Sequence, residues 1–371
     1  MSEVRKVGVE EELLLVDPRT GELANASGAV LHGHRNERTA APRRGAQDLE
    51  GELLRHMVET HTDPATDLDD IERQLREARR TALRAAEESG VAVAAVATPP
   101  LGSAEPVVSA EPRYERIIDE FGDVGRGAGT LGMHVHVDVD DAEEGVRIID
   151  GLRPWLPLLV AVSANSPYAV GRDTGYASWR RQVWTRWPSA GVAEPYGSVR
   201  EYRRVGESLI GLGAALDEGM LYFDARLSAD YPTVEVRVAD TCTEVEDALV
   251  VVALTRALVD TVAGDVSPDP VRSDVLRAAD WRAARYGVSG SLVHPQTWTL
   301  VPAGEALHAL VEHVGRALDE AGDAPRVSDG LARLSATGNG ARRQRAARER
   351  SGDLAEVVSD LVNRTRTSAA D

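Results

Sequence analysis

The chain of 371 residues has little cysteine and no long hydrophobic run. Its single cysteine, Cys242, excludes an internal disulfide framework and a zinc site built of thiolates, so a reducing, cytoplasmic setting is expected. No run approaches the roughly 18 apolar residues of a membrane-spanning helix, and the first residues lack the apolar segment of a secretory signal. We therefore predict neither membrane insertion nor secretion.

Positive charge is also scarce. The 60 acidic residues against 42 basic ones give a formal net charge of -18, which argues against general affinity for nucleic acid or anionic lipid. Lysine is almost absent, so arginine supplies nearly all of the positive charge, although a GC-rich coding bias explains that ratio as well. Glycine-rich phosphate-binding motifs and nucleophile-elbow motifs are also missing. A bound nucleotide would therefore be held mainly by metals and arginines.

The composition is that of a globular protein, with 43% hydrophobic and 27% charged residues. The sequence shows neither an internal repeat nor a linker, so we predict one α+β domain over residues 1–371, with a helical C-terminal portion from about residue 245. Two stretches, 32–48 and 165–200, lack an apolar period and are predicted to be mobile loops that close over the site.

Three carboxylates interrupt an otherwise apolar strand pattern at residues 7–16. Alternation along a strand sends Glu10 and Glu12 to one face and Glu11 to the other. Burying a carboxylate pair costs several kcal/mol per ion unless cations lie between the groups, and oxygen ligands suit Mg²⁺ or Mn²⁺. The alternative is an exposed strand edge, where acidic residues need no metal.

Other strand-like segments carry polar residues among apolar ones. Glu59 follows a Met-Val pair, His134 and His136 share one face of a Val-rich strand, and Glu235 and Arg237 share one face of another. Buried histidines are often only structural, and a Glu-Arg pair on one face is often a weak surface ion pair. Taken together, however, these strands predict a sheet whose polar face forms a metal-binding cleft.

Several longer motifs resemble the glutamate-cysteine ligase type 2 family, in particular its YbdK-like carboxylate-amine ligases. They are Val-Gly-Val-Glu-Glu-Glu-Leu-Leu-Leu-Val-Asp at 7–17, Gly-Met-His-Val-His-Val at 132–137, Ser-Ala-Asn-Ser-Pro-Tyr at 163–168, Gly-Arg-Asp-Thr-Gly at 171–175, Arg-Trp-Pro at 186–188, Thr-Val-Glu-Val-Arg-Val-Ala-Asp at 233–240 and Trp-Arg-Ala-Ala-Arg-Tyr-Gly at 281–287. The likeness covers nearly the whole chain in the family's order. It departs at Asp138, where relatives often carry glycine after the second histidine.

The resemblance implies a fold and a set of site residues. The fold is α+β, with a curved antiparallel sheet of the glutamine synthetase catalytic-domain type and helices packed on its convex face. The concave face would hold ATP and divalent cations. The implied metal ligands are Glu10, Glu12, Glu59, His136 and Glu235. Arg237 and Glu59 are the implied catalytic residues. The implied nucleotide or substrate contacts are His134, Arg172, Arg282, Arg285 and Arg343.

The resemblance also implies a reaction. ATP would phosphorylate a glutamate-like carboxylate, and cysteine or another amino compound would displace phosphate to form an amide, with Mg²⁺ or Mn²⁺ as cofactor. The partners would be small molecules, with neither nucleic acid nor membrane, and the fold is compatible with a homodimer. Two alternatives remain open at this stage: a phosphagen-type guanidino kinase on the related fold, and a non-catalytic protein that binds nucleotide and metal.

Overall fold

The computed structural model describes residues 4–40, 48–102, 105–127, 129–264 and 271–370, and the side chains of all of these except 37–40. Its strands are β1 Val7–Val16, β2 Leu49–Gly51, β3 Met57–His61, β4 Ala92–Ala94, β5 Gly132–Asp138, β6 Tyr168–Ala169, β7 Arg172–Asp173, β8 Ala225–Leu227, β9 Thr233–Asp240, β10 Ser291–Val293 and β11 Leu300–Pro302.

Helices outnumber strands toward the C-terminal end. They are α1 Ser27–Ala40, α2 Leu68–Glu88, α3 Pro112–Phe121, α4 Asp123–Arg126, α5 Ala142–Leu152, α6 Leu156–Ser163, α7 Trp179–Trp184, α8 Val199–Gly211, α9 Val245–Ala263, α10 Ser273–Tyr286, α11 Ala303–Ala321, α12 Ala324–Thr337, α13 Gly340–Ser351 and α14 Leu354–Ala370. Short 3-10 helices cover Glu218–Met220 and Gly287–Ser289.

The main sheet is antiparallel and has the strand order β2-β3-β1-β5-β9-β8, with β4 also paired to β1. Its apolar face packs against the helices, and α9 contacts both central strands β1 and β5. Because α9 is apolar almost all the way round, it can be stable only when it is surrounded by other elements, and 15 of its 19 residues are buried. The polar face of the sheet is left to form a site.

Helix α2 shows how local sequence sets an element on the apolar side. Asp67 caps its N-terminus by accepting a hydrogen bond from the backbone N–H of Asp69, and two further acids lie in its first turn, where the helix dipole favours them. Its buried stripe, which includes Ile71 and Leu75, packs toward the sheet. The capped first turn therefore sets where α2 begins, and the apolar stripe sets which face it buries.

One local prediction was wrong, and a second was incomplete. The predicted loop over 32–48 is helical through α1 up to Ala40, while 41–47 lie outside the described residues. Helix α1 contacts α2 and β2, so packing outweighs its polar composition. In the C-terminal portion, which was predicted to be helical, β10 and β11 form a hairpin. The segment 165–200 is largely irregular, as predicted, although it contains α7.

The single-domain organisation over 1–371 stays a prediction. Among the described residues, no helix combines the length and apolar character that crossing a membrane would require.

Candidate active site

Strand pairing gathers the predicted residues on the polar face of the sheet. Glu10 of β1 lies opposite His134 of β5, and Glu12 lies opposite Glu59 of β3. His136 lies in turn opposite Glu235 of β9. Residues directly opposite each other in an antiparallel pair point to the same face, so four neighbouring strands supply side chains to one place.

The gathered side chains form two groups that share Glu10. One group is Glu10, His136 and Glu235, and the other is Glu10, Glu59 and His134; within each group the ligand atoms lie within 4.8 Å of one another. The Nε2 atom of His136 lies 3.1 Å from Oε1 of Glu10, and Nδ1 of His134 lies 3.1 Å from Oε2 of the same carboxylate. Carboxylate and imidazole ligands at this spacing suit a divalent cation such as Mn²⁺ or Mg²⁺.

The protonation states of Glu10 and His134 favour metal binding. Burial alone would raise the pKa of Glu10, but hydrogen bonds with His134 and His136 outweigh it and lower this pKa. Burial and the nearby charge of Arg237 lower the pKa of His134 to about 4, so its imidazole is neutral near pH 7. The Nε2 atom of His136 faces Glu10, while the Nε2 atom of His134 is buried and has no hydrogen-bond partner among the described residues. An imidazole nitrogen in that state is free to bind a metal.

A cluster of acids overlaps these groups at Glu59. Burial and the charge of Glu52 raise the pKa of Glu12 to about 7, while the backbone N–H of Gly132 donates to Glu12 over 2.5 Å and partly opposes that rise. Burial, the charge of Glu52 and a hydrogen bond with it also raise the pKa of Glu59. Carboxylates crowded in this way repel one another, and a cation between them would remove the repulsion. Glu12 is not in either three-residue group but borders both.

Glu52 was missed by the sequence analysis. It lies in the bend between β2 and β3, where strand alternation predicts no direction for a side chain. The only available signal was its place in an acidic pair, with Glu50, just ahead of an apolar Leu-Leu step.

Two arginines form ion pairs with Glu235. Arg237 pairs with Oε1 of this carboxylate, and Nε of Arg226 donates to its Oε2 over 2.6 Å. Burial would raise the pKa of Glu235, but these two cations and the two histidines lower it to about 2. Arg226 was also missed, because its place opposite Glu235 depends on the β8–β9 register and not on its own sequence neighbours.

Arg180 on α7 is a third cation close to these acids, and the sequence analysis missed it as it missed Arg226. It is fully buried, its guanidinium donates to the carbonyls of Arg237 and Val238, and it lies 5.3 Å from the ring centroid of Trp184. Gly132 makes room for it, since a Cβ atom at Gly132 would meet the guanidinium at 2.1 Å. Burial lowers the pKa of Arg180.

Most of these acids, together with Arg226 and Arg237, face a cavity of about 270 Å³. Its wall is polar on the strand side and apolar on the other. The lining residues are Glu10, Glu12, Glu52, Leu53, Met57, Glu59, Arg113, Tyr114, Ile117, Thr130, His134, Trp184, Trp187, Gly219, Tyr222, Arg226 and Arg237. Asp138, the departure from the family pattern, lines a different cavity with Arg5 and Lys6.

Three of the predicted nucleotide contacts lie together elsewhere. The guanidinium carbon of Arg172 is 6.0 Å from the ring centroid of Trp179, and that of Arg285 is 5.5 Å from Tyr176, whose ring packs against Trp179. Arg282 and Arg285 both lie over Tyr286, at 4.4 and 5.1 Å. We call these six residues the arginine-aromatic cluster. It lies at the start of α7, whereas Trp184, at the end of α7, lines the cavity.

Arg343, the fourth arginine of that prediction, lies apart. It forms ion pairs with Asp247 and with Glu244, the latter at 2.9 Å, and both acids are largely buried. Its guanidinium is therefore occupied by carboxylates of the chain itself. A role for Arg343 in nucleotide binding stays a prediction.

Residues 6–360 match the sequence profile of Glutamate-cysteine ligase family 2. The chain belongs to this family. It is 50% identical over 377 residues to a Nocardioides sp. protein named "Putative glutamate--cysteine ligase 2-1", covering 99% of this chain and 98% of that one. It is 47% identical over 370 residues to the Streptomyces coelicolor "Putative glutamate--cysteine ligase 2", covering 98% of this chain and all of its relative. The resemblance predicted from the motifs is confirmed.

Solved structures share the fold at low sequence identity. A bifunctional glutathione synthetase from Pasteurella multocida superposes with a TM-score of 0.70 at 15% identity, covering 98% of this chain and 52% of that one. A glutamate-cysteine ligase from Francisella tularensis, in complex with AMP, superposes with a TM-score of 0.68 at 12% identity, covering 99% and 89%. The predicted α+β fold with an antiparallel sheet is thereby confirmed.

Proposed function

We propose that this protein uses ATP to join a glutamate-like carboxylate to an amine through an acyl phosphate. ATP-dependent carboxylate-amine ligation is the reaction class expected of the family to which the chain belongs, and that membership does not favour the guanidino kinase alternative. The observation that carries the proposal is the pair of three-residue groups sharing Glu10, with Arg237 beside them.

Divalent cations fit this site. The groups present carboxylate oxygens and imidazole nitrogens, the buried Nε2 atom of His134 is without a hydrogen-bond partner among the described residues, and the crowded acids need positive charge. Glu10, His136 and Glu235 would hold one Mg²⁺ or Mn²⁺, and Glu10, Glu59 and His134 another, with Glu12 bordering both. A bound cation would neutralise charge on the ATP phosphates and on the attacking carboxylate.

The chain's own residues position the reactants. Arg237 and Arg226 are held in fixed orientation by Glu235, so they present N–H groups to a phosphoryl group without reorganising. The substrate carboxylate oxygen forms a bond to the γ-phosphorus while the bond to ADP breaks. The amine nitrogen then attacks the acyl carbon, phosphate leaves with the former C–O bond electrons, and the amine loses a proton. We assign Glu59, which lines the cavity from the strand side, to this second step.

We assign the arginine-aromatic cluster to binding those parts of the nucleotide or substrate that do not react. Arg172, Arg282 and Arg285 each lie over an aromatic ring, an arrangement that presents both a flat apolar surface and N–H donors. A planar base with an anionic group suits such a surface. A homodimer also stays a prediction, which sizing in solution would test.

The proposal is tested by product analysis. The protein is incubated with ATP, Mg²⁺ or Mn²⁺, glutamate and a panel of amines, and mass spectrometry follows ADP and amide. We expect ADP and amide together, both lost in the double variant Glu10→Ala/Glu12→Ala and both kept in Glu87→Ala, which removes an exposed acid of α2. ADP release that survives the double variant would contradict the metal assignment.

The same assay separates the alternatives. A phosphorylated amine without an amide would indicate a guanidino kinase. Binding of ATP and Mn²⁺ in calorimetry, with neither ADP nor amide formed across the panel, would indicate a non-catalytic binding protein.

A further inference from the structure

The cavity has an apolar wall that the proposed chemistry does not use. Opposite the acids of the sheet lie Tyr114 and Ile117 of α3, together with Trp184, Trp187 and Tyr222. The three large rings pack on one another, with Tyr222 lying 4.8 Å from Trp184 and 5.2 Å from Trp187 between ring centroids. Packed rings of this kind bind the apolar part of a ligand and fix its orientation.

The arginines that line the cavity already have anionic partners. Arg113, the arginine on the aromatic side, forms a two-point pair with Asp217 at 2.9 Å for each contact. Arg226 and Arg237 both pair with Glu235, as described above. A ligand carboxylate placed against the aromatic wall would therefore meet cations whose charge is already balanced.

A further acid of the cavity would oppose such a carboxylate. Glu52 lines the same cavity and belongs to neither of the two proposed metal groups, so the cations would not neutralise it directly. Neither its repulsion of a carboxylate nor the loss of hydration would be compensated on the aromatic side. An amino group experiences the opposite effect, because Glu52 attracts its ammonium form before the proton is lost. The cavity thus favours a ligand whose amine faces Glu52 and whose body faces the rings.

The small volume limits that body. At about 270 Å³ the cavity lies just below the usual range of small-molecule pockets, roughly 300–1,000 Å³. A body of about one aromatic ring on a short aliphatic arm suits this space.

From these features we propose that the amine substrate of this ligase is a primary amine with an apolar or aromatic body and no carboxylate beside the amino group, such as an arylalkylamine, rather than an α-amino acid. The inference rests on the proposed ligase function and names its second substrate. It also assigns Asp217 a role in specificity, because Asp217 occupies the guanidinium of Arg113 that would otherwise bind an α-carboxylate.

Matched substrate pairs test this directly. Phenethylamine is compared with phenylalanine, and cysteamine with cysteine, each with ATP, Mn²⁺ and glutamate, and amide formation is measured by mass spectrometry. We expect kcat/KM to be at least about tenfold higher for the member that lacks the carboxylate, equivalent to about 1.4 kcal/mol. If the amino acid is the better substrate in both pairs, the inference is overturned while the ligase function stands.

Two variants test which side chains produce this substrate preference. Asp217→Asn keeps a side-chain oxygen that can accept the hydrogen bond from the backbone N–H of Met220, but it removes the negative charge that balances Arg113. It should raise kcat/KM for phenylalanine and leave phenethylamine nearly unchanged. Tyr222→Leu should raise KM for phenethylamine about threefold to tenfold, the size of one aromatic contact, and change cysteamine less. Equal effects on both members of each pair would contradict the inference.

Calorimetry separates this inference from the proposed function. Phenethylamine and phenylalanine are titrated into the protein with Mn²⁺ and a non-hydrolysable ATP analogue. Tighter binding of phenethylamine without any amide in the kinetic assay would refute the ligase function and support the site. Equal or weaker binding of phenethylamine would refute the site.

Discussion

Arg79 of α2 holds Glu11 of β1 in a two-point ion pair, with N–O distances of 2.6 and 2.9 Å. Both side chains are completely buried, on the face of β1 opposite Glu10 and Glu12. The remaining N–H groups of Arg79 donate to the carbonyls of Cys242 and Thr243, just after β9, over 2.7 and 2.6 Å. One guanidinium therefore ties the strand of Glu10 to the end of the strand of Glu235.

This pair predicts an asymmetric effect of mutation on stability. Arg79→Leu leaves the Glu11 carboxylate buried without its partner and should lower the free energy of unfolding by about 3–5 kcal/mol. Glu11→Leu/Arg79→Leu removes both charges and should recover part of that loss, limited by the two carbonyls left without donors at about 1–3 kcal/mol each. Urea unfolding measures both. A double variant less stable than Arg79→Leu would contradict this account.

A hydroxyl behind His136 should affect metal affinity. The Oγ1 atom of Thr233 lies 3.0 Å from Nδ1 of His136, so it fixes the ring and leaves Nε2 toward Glu10. Removal of such an outer-shell partner typically weakens metal binding about 10- to 100-fold. We expect Thr233→Val to weaken Mn²⁺ binding by at least about tenfold in calorimetry. Thr233→Ser, which keeps the hydroxyl, is the control, and equal affinity in both variants would show that the contact is irrelevant to metal binding.

Mutation of Arg237 is expected to change kcat more than KM for ATP. Its planar guanidinium can pair with Glu235 and still present other N–H groups to a phosphoryl group. A lysine ammonium lacks this planar set of donors. Arginines that stabilise a transferring phosphoryl group contribute about 10³- to 10⁵-fold, so Arg237→Lys should lower kcat by at least about 100-fold with a smaller change in KM for ATP. Steady-state kinetics measure this, with exposed Arg277→Lys as the control. An unchanged kcat would remove Arg237 from the catalytic residues.

The sequence was informative wherever alternation along a strand decides on which face of the sheet a side chain lies. It placed Glu10 and Glu12 on one face and Glu11 on the other, and it placed His134 and His136 together on one face, as the structure has them. Period-two alternation needs only neighbours along the chain, so it can be read without knowledge of the fold.

The residues that were missed depend on contacts between distant segments. Glu52 lies in a bend, Arg226 reaches Glu235 only because β8 pairs with β9, and Arg180 fits only because Gly132 has no Cβ. Helix α1 was missed for a related reason, since it has few apolar residues and is held by buried Val30 among its contacts with α2 and β2. Register and packing are properties of the folded chain, which local patterns do not encode.

Two of the four arginines predicted to contact nucleotide, Arg285 and Arg343, should respond differently to mutation. Arg285 lies over two aromatic rings in the arginine-aromatic cluster, so Arg285→Ala should raise KM for ATP about 10- to 100-fold, in line with one charged hydrogen bond of about 1.5–3 kcal/mol, with little effect on stability. Arg343→Ala should instead lower the free energy of unfolding, because it leaves the buried Asp247 carboxylate with one partner fewer. Comparison of KM and the urea midpoint in both variants tests this, and the reverse pattern would exchange the two roles.

A buried histidine away from the site should make stability depend on pH. His56 is fully buried, neither of its ring nitrogens has a hydrogen-bond partner among the described residues, and burial lowers its pKa to about 4. In the unfolded chain its pKa is about 6.5, so the unfolded state takes up a proton below pH 6.5 while the folded state stays neutral until about pH 4. Stability from this residue is therefore complete above about pH 6.5 and falls as the pH drops toward 4.

The size of that loss follows from the gap between the two pKa values. At about 1.4 kcal/mol for each pKa unit it comes to about 3 kcal/mol. Urea unfolding between pH 4 and pH 7 should show a correspondingly shallower decline for His56→Leu than for the parent protein, since leucine cannot be protonated. His308→Gln, which changes an exposed histidine of α11, should leave the decline as it is. An identical slope in His56→Leu would mean that protonation of His56 in the unfolded state does not contribute.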